Sequence, residues 1–470
     1  MKSARHYDLC VLGAGSAGYS AAVRAQELGK SVVLVDGTGP LSGLCILRGC
    51  MPGKTILHSA DVARTVRHAE EKGVEVSGFS VNSAKVVQRK RALVEEFAQS
   101  RVEELQAFPM LRGAARFTAA HELRVDAATI QADKFLIATG SVINIPAVPG
   151  LCEAGFLDSD TLMDVERLPQ SVIILGGGAV CAEMSHYLQQ SGVEVTILQR
   201  SVTLLSSEDP DIGECLRQVF EREGMRVETG VEFERVERTA NGKRVLARVG
   251  GQWRVFEAEE LFAALGRRAN VDGFGLEAAG VEFNADGVRI NEYLQTSNPD
   301  IFAAGDVTGI WRLLHVAVYE GKLAAQNAFI TPLEPARYDL HRARAIFSSP
   351  QVGIAGMSER RAQAHGVWYD KASYPFKELG RAIVMDAKDG FAKMLADREG
   401  KILGITIVGA QASDMVHEAI ALLYFEANVR DVLAMPHIHP TLAEILTYPA
   451  EELAGRIASR PHAELGYAAG

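Results

Sequence analysis

One structural unit occurs twice in this chain, and it constrains the fold more strongly than any other feature of the sequence. The unit is an apolar strand, a glycine-rich turn, a helix and a second strand, and it begins at Tyr7 and again at Ser171. The two turns consist of Gly13, Ala14, Gly15, Ser16, Ala17 and Gly18, and of Gly176, Gly177, Gly178, Ala179, Val180 and Cys181. Strands that alternate with helices in this way build parallel sheets, so we predict an α/β fold with two Rossmann-like domains.

Each copy has the parts that bind a dinucleotide. Glycines let the backbone approach a pyrophosphate, the N-terminus of the next helix stabilises its charge, and an acid after the second strand binds a ribose hydroxyl. Asp36 is that acid in the first copy. The two copies together predict two bound dinucleotides. Either glycine turn by itself could instead be only a tight connection between a strand and a helix, with no nucleotide bound.

The second copy differs from the first at the end of its second strand. Gln199 and Arg200 stand there, where a carboxylate is typical of an NAD site. A guanidinium can bind a 2′-phosphate, so the pair favours NADPH over NADH, with a solvated surface arginine as the alternative. Cys181 occupies the third glycine position and is small enough to be a packed core residue.

Cys45 and Cys50 lie five residues apart and are followed by Pro52, Gly53 and Lys54. In a regular helix, residues with this spacing lie roughly 8 to 9 Å apart, beyond the usual Cα range of about 4.4 to 6.8 Å for a disulfide. A bond between them would need a distorted helix, and such strain makes a disulfide easier to reduce. We favour a redox-active pair; a zinc site, which needs two more matching ligands, and an inert pair are the alternatives.

Length and charge limit the classes of function. A chain of 470 residues predicts two to four domains, and its formal net charge of −10 argues against nucleic acid and anionic membranes as partners. No apolar stretch approaches the roughly 18 residues that span a bilayer, and the apolar run before Gly13 is too short for a secretory signal. We therefore expect a cytoplasmic protein, in which a close cysteine pair is more often redox-active or metal-binding than structural.

Three later segments carry further patterns. Residues 225–262 alternate like strands with turns at Asn241-Gly242 and Gly250-Gly251, which predicts hairpins. A strand that ends at Asp306 can place a carboxylate beside a chain of hydroxyls, although alone it is usually a plain strand end. His439, with Pro440 after it and Glu444 five residues on, has the pattern of an oriented general base, with a histidine in a turn as the alternative.

Taken together, these motifs resemble the pyridine nucleotide-disulfide oxidoreductases, and among them the dihydrolipoamide dehydrogenases, from Tyr7 to Leu446. The resemblance implies an FAD-binding domain at residues 1–150 and an NAD(P)-binding domain at 151–270. It also implies a central domain at 271–343 that completes the FAD site, and an α+β dimerisation domain at 344–470. The active enzyme would be a homodimer that passes electrons between a lipoyl-type dithiol and NAD or NADP, with a lipoyl carrier protein or another small dithiol or disulfide as its partner.

The resemblance also assigns roles to individual residues. Cys50 would lie against the flavin and Cys45 would exchange with substrate, while His439 and Glu444 would come from the partner subunit. Lys54 would pair with Glu183 near the flavin, Asp306 would contact the ribityl chain, and no metal ligand is implied. The cofactor-binding residues would be Gly13, Gly15, Ser16, Ala17, Gly18, Asp36, Lys54, Thr139, Gly140, Gly176, Gly178, Glu183, Gln199, Arg200, Gly266, Asp306 and Ala317.

The sequence also departs from the family pattern. Leu44, Leu47 and Gly53 replace a threonine, an asparagine and a serine around the two cysteines, and Ala269 replaces a proline after the Gly-Arg pair. We expect redox competence with an altered thiol pKa or potential. A dehydrogenase for a specialised lipoyl carrier fits these changes, and the alternatives are a mercuric-reductase-like or glutathione-type NADPH-dependent enzyme, or a flavin-bound binding protein with vestigial catalysis.

Overall fold

The computed structural model describes residues 5–459. The start of the predicted first domain and the end of the predicted last domain therefore lie outside the described residues. A seven-stranded sheet, here the first sheet, contains the first glycine turn. Its strand Ile301–Ala303 pairs in parallel with Ala128–Ile137. The remaining strands follow the order Met110–Arg112, Val32–Asp36, Arg5–Leu12, Ala128–Ile137, Glu122–Val125 and Ala115–Ala119.

The helices around the first sheet position the predicted FAD site. Helix Ser16–Glu27 follows the glycine turn and packs on helix Leu314–Phe329. The two backbones approach so closely that a Cβ at Gly321 would lie 2.2 Å from the carbonyl oxygen of Ala17. The segment predicted as a central domain therefore adds a strand and a helix to the first sheet, while the predicted boundary at 271 stays a prediction.

Three α-helices lie between strands Val32–Asp36 and Met110–Arg112 of the first sheet. Helix Gly43–Arg48 is followed by the cysteine helix, Cys50–Arg67, and by the long helix Ser83–Leu105. Ile56 and Leu57 of the cysteine helix are buried in a core that also contains side chains of the second glycine-turn unit. The cysteine helix is thus packed between the two predicted nucleotide-binding units.

The second sheet contains the second glycine turn and is parallel throughout. Its order is Arg226–Thr229, Glu194–Gln199, Ser171–Leu175 and Glu260–Ala263, with helices Leu151–Ala154, Ala179–Gln190 and Pro210–Arg222 around it. The predicted hairpins form a separate antiparallel sheet of Glu232–Thr239, Gly242–Val249 and Gln252–Ala258. A two-stranded ladder of Ser141–Ile143 and Arg267–Ala269 lies where the chain passes between the first and second sheets.

The last third of the chain forms an antiparallel sheet with helices, as predicted for an α+β domain. The strand order is Arg344–Ile346, Gln351–Gly356, Ile402–Gly409, Phe391–Ala396 and Asp370–Pro375. The helices are Glu359–Ala364, Gly380–Met385, Ala412–Tyr424, Val429–Ala434 and Thr447–Ala458. The predicted fold class is therefore confirmed. Across residues 5–459, no helix has both the length and the apolar character needed to cross a membrane.

Candidate active site

The first glycine turn is shaped for close approach of a ligand. Gly13 has a φ of +108°, and a Cβ there would lie 2.2 Å from the carbonyl oxygen of Ala138. A Cβ at Gly18 would lie 1.8 Å from the oxygen of Gly13, so glycine is required at both positions. Asp36 accepts hydrogen bonds from the backbone N–H groups of Ala14 and Gly37 at 3.1 and 2.7 Å. This turn fits a dinucleotide pyrophosphate, and Asp36 lines the cavity beside it.

A second cavity joins the first glycine turn to the cysteine pair. Cys45, Cys50 and Asp306 all line it. Of the residues predicted to bind a cofactor, it is lined by Gly15, Ser16, Ala17, Gly140, Asp306 and Ala317. Thr139 lines the neighbouring cavity beside Asp36 instead. Most of the residues that the resemblance assigns to FAD thus surround two neighbouring cavities, whereas Gly18 and Lys54 line neither of them.

The cysteine pair lies at an interruption between two helices. Gly49, with φ −127° and ψ −110°, separates helix Gly43–Arg48 from the cysteine helix. A Cβ at Gly49 would lie 3.1 Å from the oxygen of Leu44 and 3.2 Å from the Cα of Cys45, so glycine lets the second helix start close to the first. The distortion that the five-residue spacing requires is therefore present.

The two cysteines are free thiols in hydrogen-bond contact, so a disulfide between them stays a prediction. The hydrogen bond with Cys45, together with the charge of Lys54, lowers the pKa of Cys50 to about 7. The same contact and burial raise the pKa of Cys45. Of the two thiols, Cys50 is thus the one that ionises first.

Lys54 is held by a charged partner from the second glycine-turn unit. Its Nζ lies 2.8 Å from both carboxylate oxygens of Glu183 and 4.4 Å from the centre of the Phe347 ring. Glu183 also accepts a hydrogen bond from the backbone N–H of Phe347 at 3.0 Å. The ion pair that the resemblance predicts is therefore present. Neither partner is among the residues that line the cysteine cavity or the second glycine-turn cavity.

The second glycine turn also has space for a nucleotide. Gly176 has a φ of +107°, and a Cβ there would lie 2.5 Å from the oxygen of Ala264. Arg200 is exposed and, together with Gly178 and Gly266, lines the cavity at this turn. Gln199 is buried and packs against Gly177. Cys181 lies in the core, where burial raises its pKa, as expected for a packing residue.

His439 and Glu444 form the pair that their spacing predicts. His439 Nδ1 lies 3.0 Å from a carboxylate oxygen of Glu444, and the histidine side chain is 77% exposed while that of the glutamate is 9% exposed. His437 is different, because its Nε2 lies 2.9 Å from Glu418 and its side chain is 9% exposed. His439 is not among the residues that line the cysteine cavity of the same subunit. Its contact within its own subunit is the one with Glu444.

Sequence reasoning missed several residues of this site. Ser141 donates a hydrogen bond to Asp306 at 2.6 Å, and Arg267 binds both Ser141, at 3.0 Å, and Asp160, at 2.8 Å. Arg312 lines the cysteine cavity. The arginine of Gly266-Arg267 was visible in the sequence, but no local pattern distinguishes Ser141, Asp160 or Arg312 from other surface residues.

Gly53 provides a prediction about stability. The nearest atom to a Cβ at this position would be the Met163 sulfur at 3.9 Å, an ordinary contact, and Gly53 lies within the cysteine helix. Gly53→Ala is therefore expected to stabilise the protein by about 0.5 to 1 kcal/mol, because glycine loses more backbone entropy in a helix. Thermal unfolding of both forms checks this. Gly49→Ala, with its tight contacts, is the matched variant that should not stabilise, and a lower Tm for Gly53→Ala would contradict the prediction.

Comparisons with known proteins cover almost the whole chain. Residues 7–321 match the model described as pyridine nucleotide-disulphide oxidoreductase, and residues 342–450 match the dimerisation domain of the same description. The mercuric reductase of Lysinibacillus sphaericus is 34% identical over 95% of this chain and 82% of its own length. A dihydrolipoyl dehydrogenase of Bacillus subtilis (strain 168) is 33% identical over 94% of this chain and 97% of its own length.

A solved structure supports the fold. The Cu(II) complex of the HOCl-induced flavoprotein disulfide reductase RclA from Escherichia coli superposes with a TM-score of 0.85 at 23% sequence identity. The match covers 96% of this chain and 100% of that chain. At this identity the likeness concerns the fold alone.

Proposed function

The chain belongs to the pyridine nucleotide-disulphide oxidoreductase family, and we propose that within it the protein passes electrons between a lipoyl-type dithiol and a nicotinamide cofactor. FAD and NAD(P)H are the cofactors of this family. One observation carries the proposal. Cys45 and Cys50, in mutual contact, line the same cavity as the first glycine turn and Asp306. The two thiols therefore border the predicted flavin site.

The cofactors and the cysteines have different tasks in this account. When bound, FAD and the nicotinamide supply the hydride and electron transfer. Gly13 and Gly176 let the backbone approach the two pyrophosphates, and Lys54, fixed by Glu183, contributes positive charge beside Cys50. That charge favours the Cys50 thiolate, which is the leaving group when a substrate opens the predicted disulfide.

The exchange with substrate balances without any further reactant. One thiolate of the substrate dithiol attacks the sulfur of Cys45, a mixed disulfide forms, the Cys45–Cys50 bond breaks, and Cys50 leaves as thiolate. The second substrate thiol then attacks the mixed disulfide, which releases the oxidised substrate and the Cys45 thiolate. Both substrate protons need an acceptor. We assign the proton of the attacking thiol to the partner subunit's His439, whose imidazolium Glu444 would stabilise. The proton of the second thiol goes to the departing Cys45 thiolate, because the pKa of Cys45 is raised.

A homodimer would supply the histidine to the cysteines, because His439 does not line the cysteine cavity of its own subunit. The domain that carries His439 exposes large apolar side chains, among them Ile438, Tyr424 and Phe425 at 78%, 65% and 77%. Exposed apolar side chains in such numbers are typical of an interface. The match of residues 342–450 to a dimerisation domain supports the same assignment.

Mixed dimers test whether the site is shared. Dimers that contain one Cys45→Ser subunit and one His439→Gln subunit have one intact site if cysteine and histidine come from different subunits. Such dimers, isolated with two affinity tags, are expected to recover about half of the wild-type dihydrolipoamide activity, whereas each variant homodimer stays inactive. Inactive mixed dimers would show that both residues act within one subunit.

We propose NADPH as the preferred nicotinamide because Arg200 is exposed beside the second glycine turn. Arg200→Leu is expected to lower kcat/KM for NADPH about tenfold or more, since a charge-assisted phosphate contact is lost, and to leave NADH unchanged. Arg124→Leu is a matched exposed arginine outside both cavities. A wild-type preference for NADH by more than tenfold would exclude this role for Arg200.

Two substrate classes compete most directly for this site. Relatives named mercuric reductase and relatives named dihydrolipoyl dehydrogenase match at almost equal identity, so Hg(II) reduction is the second candidate. The His439–Glu444 pair favours a dithiol, because a dithiol needs a proton acceptor. Leu44, which lines the cysteine cavity in place of the usual threonine, favours a specialised lipoyl carrier over a general one.

Steady-state rates decide between the classes. Dihydrolipoamide, oxidised glutathione and Hg(II) are each assayed with NAD(H) and NADP(H) under the same conditions. We expect the highest kcat/KM with dihydrolipoamide or lipoamide. A higher value with Hg(II) or with glutathione would replace the lipoyl assignment, and no turnover with any of them would favour a flavin-bound binding protein.

A further inference from the structure

A buried glutamate lies directly behind the turn that carries Asp306. Glu320 is fully buried, and its two oxygens accept hydrogen bonds from different donors. The backbone N–H of Gly305 binds one oxygen at 2.6 Å, and the hydroxyl of Tyr338 binds the other at 2.7 Å. Glu320 therefore links the turn to helix Leu314–Phe329, on which it lies, and to the segment that contains Tyr338.

The position is an unfavourable one for a carboxyl group whose only task is packing. Burial raises the pKa of Glu320 to about 7, and within residues 5–459 no lysine or arginine forms an ion pair with it. Burying an acid without a cation costs free energy that an apolar side chain would avoid. The contacts that offset this cost are the two hydrogen bonds, and one of them is made to the cofactor turn itself.

The turn has little freedom on its other sides. Gly305 has a φ of +81°, and a Cβ there would lie 3.1 Å from the Cβ of Ala17 and 3.4 Å from that of Ala317. The next residue, Asp306, accepts a hydrogen bond from Ser141. Glu320 thus fixes the backbone N–H at the start of the turn, while Ser141 fixes the carboxylate that follows.

We propose that Glu320 is a positioning residue for the FAD site, which holds Gly305 so that Asp306 faces the cofactor. The inference rests on the proposed placement of FAD between the first glycine turn and Asp306. Glu320 acts through hydrogen bonds and not through charge. An ionised Glu320 accepts both bonds, and a protonated Glu320 accepts from Gly305 and donates to the oxygen of Tyr338.

Glutamine is the variant that separates the two roles. Its amide oxygen can accept from Gly305 and its amide nitrogen can donate to the Tyr338 oxygen, so Glu320→Gln removes the charge and keeps both bonds. Glu320→Ala removes both bonds and leaves the Gly305 N–H without its acceptor. Tyr338→Phe removes one bond and keeps the ring. Glu292→Ala changes an exposed glutamate and is the control.

The measurement is the rate at which purified holoenzyme releases FAD, followed by flavin fluorescence while circular dichroism confirms an intact fold. Release is expected to be about tenfold faster or more from Glu320→Ala and several-fold faster from Tyr338→Phe. Glu320→Gln and Glu292→Ala should release FAD within about twofold of the wild-type rate.

Three results would overturn the inference. Release from a folded Glu320→Ala holoenzyme at the wild-type rate would show that the glutamate does not hold the site. Release from Glu320→Gln as fast as from Glu320→Ala would show that charge acts and hydrogen bonding does not. If the alanine variant does not fold, equal rates for Tyr338→Phe and Glu320→Gln overturn it. A wild-type protein that binds no FAD would instead contradict the proposed function.

Discussion

Cys45→Ser is expected to lower turnover between dihydrolipoamide and the nicotinamide cofactor by about 10³-fold or more. Serine has no sulfur, so it can form neither the predicted disulfide with Cys50 nor the mixed disulfide with substrate. Reduction of a small artificial electron acceptor by NADPH should continue, because it bypasses the cysteine pair. Steady-state assays with dihydrolipoamide and with the artificial acceptor, on the same preparation, measure both.

Cys152→Ser is the matched control for this change. Cys152 is an exposed free cysteine on helix Leu151–Ala154 and lines none of the cavities described above, so its replacement should leave both activities unchanged. Cys181 and Cys10 are buried, and burial raises the pKa of each thiol, so neither can substitute for Cys45. Dihydrolipoamide turnover by Cys45→Ser within tenfold of wild type would rule out Cys45 as the exchanging thiol.

His439→Gln is expected to slow thiol exchange by about 10² to 10⁴-fold, the usual contribution of a general base. Glutamine has about the same reach and can still bind Glu444, but it cannot accept a proton at neutral pH. Reduction of the bound flavin by the nicotinamide should be unaffected, since the histidine acts only on the thiol side. Rapid-mixing measurements of the two half-reactions separate these effects.

His437→Gln is a control from the same segment. His437 is bound to Glu418 and its side chain is 9% exposed, so its loss should affect stability more than thiol exchange. Equal slowing of both half-reactions by His439→Gln would indicate a structural role for His439. Normal thiol exchange in His439→Gln would remove it from the mechanism altogether.

Much of the fold was predictable from local sequence because the relevant signals are short. Each glycine turn stands between an apolar strand and a helix, and Gly13 and Gly176 have the positive φ values that such turns use. The turn at Gly250-Gly251 predicted its hairpin for the same reason. These features depend on backbone geometry within a few residues, which the sequence specifies directly.

The parts of the site that could not be predicted depend on contacts between distant segments. Glu320 binds Gly305 fifteen residues away, and Ser141 binds Asp306 across 165 residues. Neither residue has a sequence pattern that distinguishes it from an ordinary helix glutamate or strand serine. The position of the strand Ile301–Ala303 in the first sheet has the same origin, because strand pairing joins it to a segment far earlier in the chain.

The pairing of Lys54 with Glu183 lies between these cases. Its two residues were identified through the family resemblance, and the structure adds Phe347, which binds both partners. The unusual residues nearby, Leu44 and Gly53, leave this arrangement intact. Gly53 has room for a side chain, so the departure from serine is not a steric requirement of this fold.

Cys45 and Cys50 are expected to receive the electrons that the nicotinamide supplies. Alkylation of the thiols followed by peptide mass spectrometry tests this expectation most directly, with the oxidised holoenzyme compared before and after anaerobic addition of NADPH. We expect the peptide that carries Cys45 and Cys50 to be unlabelled before the addition and doubly labelled afterwards, while Cys152 is labelled in both samples. Equal labelling of this peptide with and without NADPH would show that the two cysteines do not receive these electrons.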